Sequence, residues 1–473
     1  MKASIFAPET RKWWTLAAVA FGLFMIMLDN TVVNVALPTI QADLGIGLSE
    51  LEWIVTGYAL SFAALMLTGG KVADMVGRRR VFVIGIVVFT GASFLCGIAE
   101  SSELLIGARV LQGVGAALMN PATLSIISAT FPPEQRGMAI GIWAGVSALA
   151  LAIGPLVGGL LTEHVGWEWI FFINVPVGLA VGLSLTRAVP APAAPRAPRA
   201  QLDLPGAGTV MAGLLALVYA IQGTADHGWT SARTLIALSI AAALLAAFAA
   251  IERAARNPLL PPATWRVRSL ISSTTVMLGA TGILVGTFFL NTLFLQEVLD
   301  ASALETGLAF LPLALVILAA AHVASHLLSH LGTRIVMAAG LLLGATGALL
   351  LTGAPTDATY ATELLPGFVA LGFGIGLTFV SVSVTAMHDV GHEQAGLASG
   401  LLTTGHEIGA ALGVAVLGSV AAASASSGTA AGIADGYGDG FLVAAAMAAL
   451  LAVAALLTVP SVRPAGGARV SLH

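Results

Sequence analysis

Residues 24–38 read FMIMLDNTVVNVALP and set an aspartate, Asp29, inside an apolar run that begins at Trp13. An ionised carboxylate in the middle of a bilayer costs at least about 2.5–3.5 kcal/mol. It must therefore be compensated or put to use. Asn30 and Asn34 lie beside it and offer polar partners. Two further ionisable groups share this setting, Arg109 in RVLQGVGAALMNP and Glu407 in the apolar run that starts near Ala395. The chemistry that such a set can do is proton transfer. A carboxylate that is charged when paired or hydrated, and neutral when protonated, can carry a proton between two sides of a membrane.

Depth arguments bring the three together. A helix rises 1.5 Å per residue, so Asp29 lies about 20 Å from a boundary at Leu16 and roughly 10 Å from the other side of a core about 30 Å thick. Arg109 lies about 8–9 Å below the boundary near Glu103, and Glu407 about 18 Å from Ala395. All three fall in one layer. Outward snorkelling is the alternative for Arg109, but Gln112 shares its helix face at i+3 and argues for a polar neighbour. Thr403 shares the face of Glu407 at i−4. His406 adjoins Glu407; it could titrate near neutral pH or simply bond a backbone carbonyl.

These residues need helices to hold them. The 473 residues are 58% hydrophobic and 9% charged, with mean hydropathy +0.95. Soluble domains carry about 25% charged residues, so a water-soluble fold is excluded. The expected fold is an all-α integral membrane protein, because an isolated strand leaves its backbone unpaired in lipid. Fourteen apolar runs near the spanning length lie at 13–37, 51–71, 81–99, 104–127, 137–161, 169–187, 206–224, 234–251, 270–295, 306–329, 334–353, 363–386, 395–422 and 440–459. The first is too long for a secretory leader and is read as a retained span. With the N-terminus in the cytoplasm, 18 of the 20 Lys and Arg fall on the cytoplasmic side, leaving only Arg109 within a span and Arg233 outside. Positive charge in short loops sets orientation, so both termini are expected in the cytoplasm of a multi-pass cell-membrane protein.

The proline-dense AVPAPAAPRAPRAQLDLP and the polar ERAARNPLLPPATWRVRS divide the chain. The expected organisation is a six-helix bundle over 1–187, a cytoplasmic linker over 188–205, an inserted helix pair over 206–251, a second linker over 252–269, a six-helix bundle over 270–459 and a tail over 460–473. An offset of 255 residues aligns Gly77 with Gly332 and Glu50 with Glu305, a weak trace of an internal repeat. The net charge of −4 points to no polyelectrolyte partner, so no nucleic acid is expected. The single Cys96 precludes an intrachain disulfide framework and reads as a buried thiol. No phosphate-binding Gly-Lys-Ser/Thr loop, metal-ligand His/Cys cluster or nucleophile elbow is present. No enzyme activity, metal site or cofactor other than the proton is expected.

The loop GGKVADMVGRRRVF has its own chemistry. Gly70 permits close helix contact, and Gly77 permits a tight turn. Asp74 opposes the local positive bias and could pair with Arg78. Topology alone explains Arg79 and Arg80. Gly154, Pro155, Gly158 and Gly159 in AIGPLVGGLL read as close packing with a permitted bend. Met25, Trp53, Tyr58, Met119, Trp143, Phe288, Phe289 and Phe294 are candidates for an apolar cavity; each could equally pack on a neighbour or on lipid.

GGKVADMVGRRR resembles the hallmark loop of the major facilitator superfamily. RVLQGVGAALMNP resembles that family's fourth-helix signature, AIGPLVGGLL its antiporter signature, and LDNTVVNVALP with WEWIFFINVPVG its fourteen-helix drug:proton antiporter branch. The resemblance covers essentially the whole chain. Two departures stand out: Ser329 where the second copy of the hallmark loop would carry Asp, and Glu168 where a basic residue is common. The resemblance implies two six-helix bundles plus an inserted pair. It implies a monomeric antiporter in the lipid bilayer that exports a hydrophobic, cationic or zwitterionic small molecule against protons. Coupling would fall to Asp29, Arg109 and Glu407, cytoplasmic gating to Gly70, Asp74, Gly77 and Arg78. A dedicated exporter of one endogenous metabolite or self-made antibiotic is the alternative within transport. A non-transporting receptor or assembly factor is the alternative outside it.

Overall fold

The structure is a computed structural model that describes residues 8–188, 203–255, 258–391, 395–425 and 429–463. The first linker therefore lies almost wholly outside the described residues, as does most of the C-terminal tail. Every element described is helical. The first half comprises α1 (Pro8–Leu44), α2 (Leu48–Val76), α3 (Arg78–Gly97), α4 (Ser102–Thr130), α5 (Pro133–His164), the one-turn α6 (Trp169–Phe172) and α7 (Asn174–Ala188). The inserted pair is α8 (Leu204–Gln222) and α10 (Ala232–Ala254), joined through the short α9 (Thr224–His227). The second half comprises α11 (Arg268–Leu293), α12 (Ala303–Ala309), α13 (Leu311–Leu331), α14 (Thr333–Leu351), α15 (Leu365–His388), α16 (Ala395–Ser424) and α17 (Ala430–Thr458).

Among the described residues, thirteen helices are long and apolar enough to cross a membrane. The expected span at 169–187 is the exception. It divides into α6 and α7, and its apolar stretch, Trp169–Leu185, is shorter than the rest. Pro176 supplies the reason: it has no N–H to give the carbonyl four residues back, at Phe172, where α6 ends. The expected span at 306–329 is likewise divided at Phe310, between α12 and α13, with Pro312 in the first turn of α13. With α6–α7 and α12–α13 each counted as one crossing, fourteen crossings remain, six on either side of the inserted pair.

Two internal joints have the same form. Gly77 is the one residue between α2 and α3, with φ +109°, and Gly332 the one residue between α13 and α14, with φ +80°. An L side chain rarely adopts this backbone. The two glycines are 255 residues apart, the offset that aligns the halves.

Contacts order the helix ends into two faces. The Gly77 and Gly332 joints, the start of α1 and the end of α17 share one, here called the basic face. There Lys12 Nζ donates to Gln135 Oε1 at 2.7 Å, and Arg268 Nε to the Thr458 carbonyl at 2.8 Å. On the opposite face, Trp167 Nε1 donates to Asp43 Oδ2 at 2.9 Å, and Ser102 Oγ to Glu50 Oε1 at 2.8 Å. The halves meet along two seams, α2 with α16 and α5 with α12–α13.

Candidate functional site

Asp29, on α1, is fully buried at the centre of the first half. Arg109, on α4, is 1% exposed and joins it through an Nη1 to Oδ2 ion pair. The same Nη1 donates to Gln112 Oε1 at 2.7 Å, and Arg109 Nε donates to the Ile54 carbonyl on α2 at 3.1 Å. Gln112 Nε2 returns a bond to Asp29 Oδ1 at 2.7 Å. Asn174, at the first turn of α7, donates to Asp29 Oδ1 at 3.3 Å and to Ser93 Oγ at 3.1 Å. Ser93, on α3, passes its own proton to the Phe171 carbonyl at 2.9 Å. The guanidinium lies over the Tyr58 ring, 4.3 Å from its centroid, and 5.8 Å from that of Phe171. Helices α1, α2, α3, α4, α6 and α7 thus all contribute. Compensation for the buried carboxylate is complete: both oxygens accept, and a cation balances the charge.

Glu407 sits in the second half, on α16, 2% exposed. His406 Nδ1 lies 3.3 Å from its Oε1, and the imidazole is 34% exposed. Thr403 does not reach the carboxylate, because its hydroxyl donates to the Ser399 carbonyl at 3.1 Å. The layer expected from depth therefore has two parts, a closed network in the first half and a carboxylate–imidazole pair in the second.

The small residues expected to pack closely do so at the seams. A Cβ on Gly154 would meet Thr31 of α1, and one on Gly158 the Val32 carbonyl at 2.7 Å. Gly159 crosses between halves: its Cβ would stand 2.3 Å from the Ala303 carbonyl, and one on Gly307 would stand 2.4 Å from the Pro155 carbonyl. Nearby, Glu163 Oε2 accepts from Leu304 N at 2.9 Å. Gln296 Nε2 donates to the Val35 carbonyl at 2.9 Å, again across the halves and on the same face. On the basic face, Arg78 reaches the Ser125 carbonyl at 3.5 Å, and Gly70 lies against Pro121. The side chain of Asp74 lies outside the described residues.

A family model for the Major Facilitator Superfamily matches residues 19–414. The chain belongs to that superfamily. This Major Facilitator Superfamily protein is 40% identical over 412 residues to the puromycin resistance protein pur8 of Streptomyces alboniger, covering 85% of this chain and 80% of that one. It is 36% identical over 401 residues to the tetracenomycin C resistance and export protein of Streptomyces glaucescens, covering 85% and 74%. Against the multidrug resistance protein Stp of Mycobacterium tuberculosis the identity is 36% over 397 residues, covering 84% and 73%. Among solved structures, the fold is shared with an auto-inhibited POT family peptide transporter, at TM-score 0.66 and 19% identity over 95% of this chain and 96% of that one. It is shared also with the human organic anion transporter MFSD10, at TM-score 0.61 and 15% identity over 94% and 99%. The protein is a multi-pass membrane transporter rather than an enzyme.

The facilitator's cavity candidates are placed unevenly. Met25, Tyr58 and Met119 are buried together in the core of α1–α4. Phe289 and Phe294 are buried in the second-half core, and Phe288 stacks on Phe310 with centroids 3.8 Å apart. In this conformation the five fully buried side chains pack in the walls, so an opening is not what they face. Trp53, Trp143, Asn30, Thr403 and His406 are half-buried. Asn34 is buried, with Nδ2 donating to the Asn30 carbonyl at 2.7 Å and Oδ1 without a partner among the described residues. Sequence reasoning missed Ser93, Asn174 and the Ile54 carbonyl. Asn174 had a signal: it stands in FINVP, a polar amide in an apolar run just before a proline.

Proposed function

We propose that this facilitator exports hydrophobic, cationic or zwitterionic drugs or antibiotics across the cytoplasmic membrane by exchanging them for protons, through alternating access. The observation that carries this reading is the pair of buried acidic centres, Asp29 with Arg109 in one half and Glu407 with His406 in the other, in a transporter whose relatives are named for resistance and export. Ionisable groups at that depth mark substrate or proton pathways by default, which disfavours a receptor or assembly factor. Relatives named for single compounds, tetracenomycin C and cephamycin, favour as a second reading a dedicated exporter of one such antibiotic.

The basic face is assigned to the cytoplasm, on the charge bias of the loops. A membrane potential of 100 mV supplies about 2.3 kcal/mol per charge. One proton moved electrogenically thus sustains a substrate gradient of roughly fifty-fold, at 1.4 kcal/mol per tenfold. Substrate and proton compete: loading the carboxylates with one positive species disfavours the other. Asp29, Arg109 and Glu407 are the coupling groups, and the protein works as a monomer in the bilayer.

The test is a substrate screen in a strain with its own exporters deleted, followed by assay of the best compound in proteoliposomes. Uphill movement that collapses with a protonophore supports the reading. Accumulation that ignores the proton gradient, or no movement of any compound and no proton flux, overturns it. Cysteine reporters at Ser461 and Ser101 should label from the cytoplasm and from outside, respectively.

A further inference from the structure

Helix α13 carries His322, His326 and His330 at i, i+4 and i+8, all exposed, in a chain with nine histidines. The spacing sets them on one helix face. The rings of His322 and His326 lie 5.2 Å apart between centroids. Two imidazoles bound to one tetrahedral ion, with metal–nitrogen bonds of about 2.0–2.1 Å, also come to about 5 Å. Neither ring makes a hydrogen bond to a described residue; the hydroxyls of Ser325 and Ser329 donate instead to the carbonyls of His322 and His326, at 2.6 and 2.7 Å.

The internal repeat points to what this face looks at. Leu304 and Gly307 of α12 touch α5 at Gly159 and Pro155, and α13 follows α12 toward the basic face beyond the break at Phe310. The 255-residue offset, supported by the matching joints at Gly77 and Gly332, also maps His322 onto Leu67 and Gly145 onto Gly400. Leu67 of α2 lies 3.2 Å from the Cβ position of Gly400 on α16, across the other seam. The counterpart seam is parted: Gly141 and Gly145 of α5 are exposed, and neither has a described residue within 4 Å of its Cβ position. The histidines thus stand on a closing face, opposite a stretch of α5 with two bare glycines.

We propose that His322 and His326 form a two-imidazole chelate for a divalent first-row transition ion, Zn2+ or Ni2+, and that an ion held there keeps this seam parted. Two histidines at i and i+4 on one helix bind zinc in other proteins, and neutral imidazole suits both ions. Among the described residues no group of three or more His, Cys, Asp or Glu is poised to hold a metal, so water completes the coordination. A hydrated ion is too bulky for the approach that Gly141 and Gly145 permit, which is why it acts as a wedge. His326 belongs to both i, i+4 pairs, so the sites overlap on it.

Binding is read by titrating the purified, detergent-solubilised full chain with Zn2+ against a chromophoric chelator. His326→Ala should weaken binding by about a hundredfold, since the second ligand of a chelate acts at high effective concentration. His322→Ala should weaken it less, because His326 and His330 remain, and His330→Ala least. Parent-like affinity in His326→Ala, or no binding by the parent, overturns the chelate. The wedge is read separately, by the distance between spin labels at Met138→Cys and Leu331→Cys, with the native Cys96 buried. Zn2+ should enrich the long distances in the parent and leave His326→Ala unchanged. Identical distributions with and without Zn2+ overturn the wedge. Neither readout depends on transport, so both stand apart from the fate of the export reading.

Discussion

The acidic centre of the first half is closed, and that of the second half is open. Asp29 has a cation and two amides on its oxygens, with every partner itself held. Glu407 has one imidazole at 3.3 Å, and that imidazole is one-third exposed. A carboxylate locked in this way cannot exchange a proton without dismantling its surroundings. A carboxylate paired with a single, part-exposed imidazole can. The division suggests two duties for the proposed coupling groups: Glu407 takes and gives the proton, while the Asp29–Arg109 lock ties the packing of the first half to charge.

Four substitutions would break or sharpen that contrast. The largest effect is expected from Arg109→Ala, which leaves Asp29 buried without its counter-charge. Removing one partner of a buried pair costs about 3–5 kcal/mol, so the protein should unfold many degrees lower in a detergent melt and lose uphill export. A melting temperature within a degree or two of the parent would mean that the lock bears little stability. Asp29→Asn comes next. It keeps the shape and removes the charge, and proteoliposomes should show no proton-driven accumulation while the melt falls less than with Arg109→Ala. Third, Glu407→Gln should melt like the parent, retain downhill exchange and lose uphill export. Substrate-induced proton release from the purified protein should vanish in it, and full release would move the coupling site elsewhere. The smallest effect belongs to Asn174→Ala, which deletes a long bond to the Asp29 carboxylate and a bond to the neutral Ser93 hydroxyl worth about 1 kcal/mol. The expected outcome is a modest fall in the melt with uphill transport reduced and not abolished.

How much of this was legible in the sequence depends on cost. Asp29 and Arg109 announced themselves because charge in an apolar run is expensive, and Gln112 followed from the i+3 spacing. Their direct contact matched the depth argument. Ser93 carries no such penalty, and a serine within a span is too ordinary to single out; Asn174 had only its place before a proline to mark it. The Ile54 carbonyl is invisible in principle, since every residue has one. Division of the sixth span was written in Pro176, but an average over some twenty residues hides a single proline. Aromatic and methionine positions were the least readable. The same side chain suits a wall or an opening, and only packing decides which.

The joints at Gly77 and Gly332 reach into a different matter, the tolerance of the chain to deletion. With one residue between consecutive helices there is no slack to give up. Removing a residue at either joint would have to unwind a helical turn beside it. Each joint is held within the helix before it, Gly77 N donating to the Ala73 carbonyl at 3.0 Å and Gly332 N to the Leu328 carbonyl at 3.1 Å, so a shortened joint would first open the last turn of α2 or of α13.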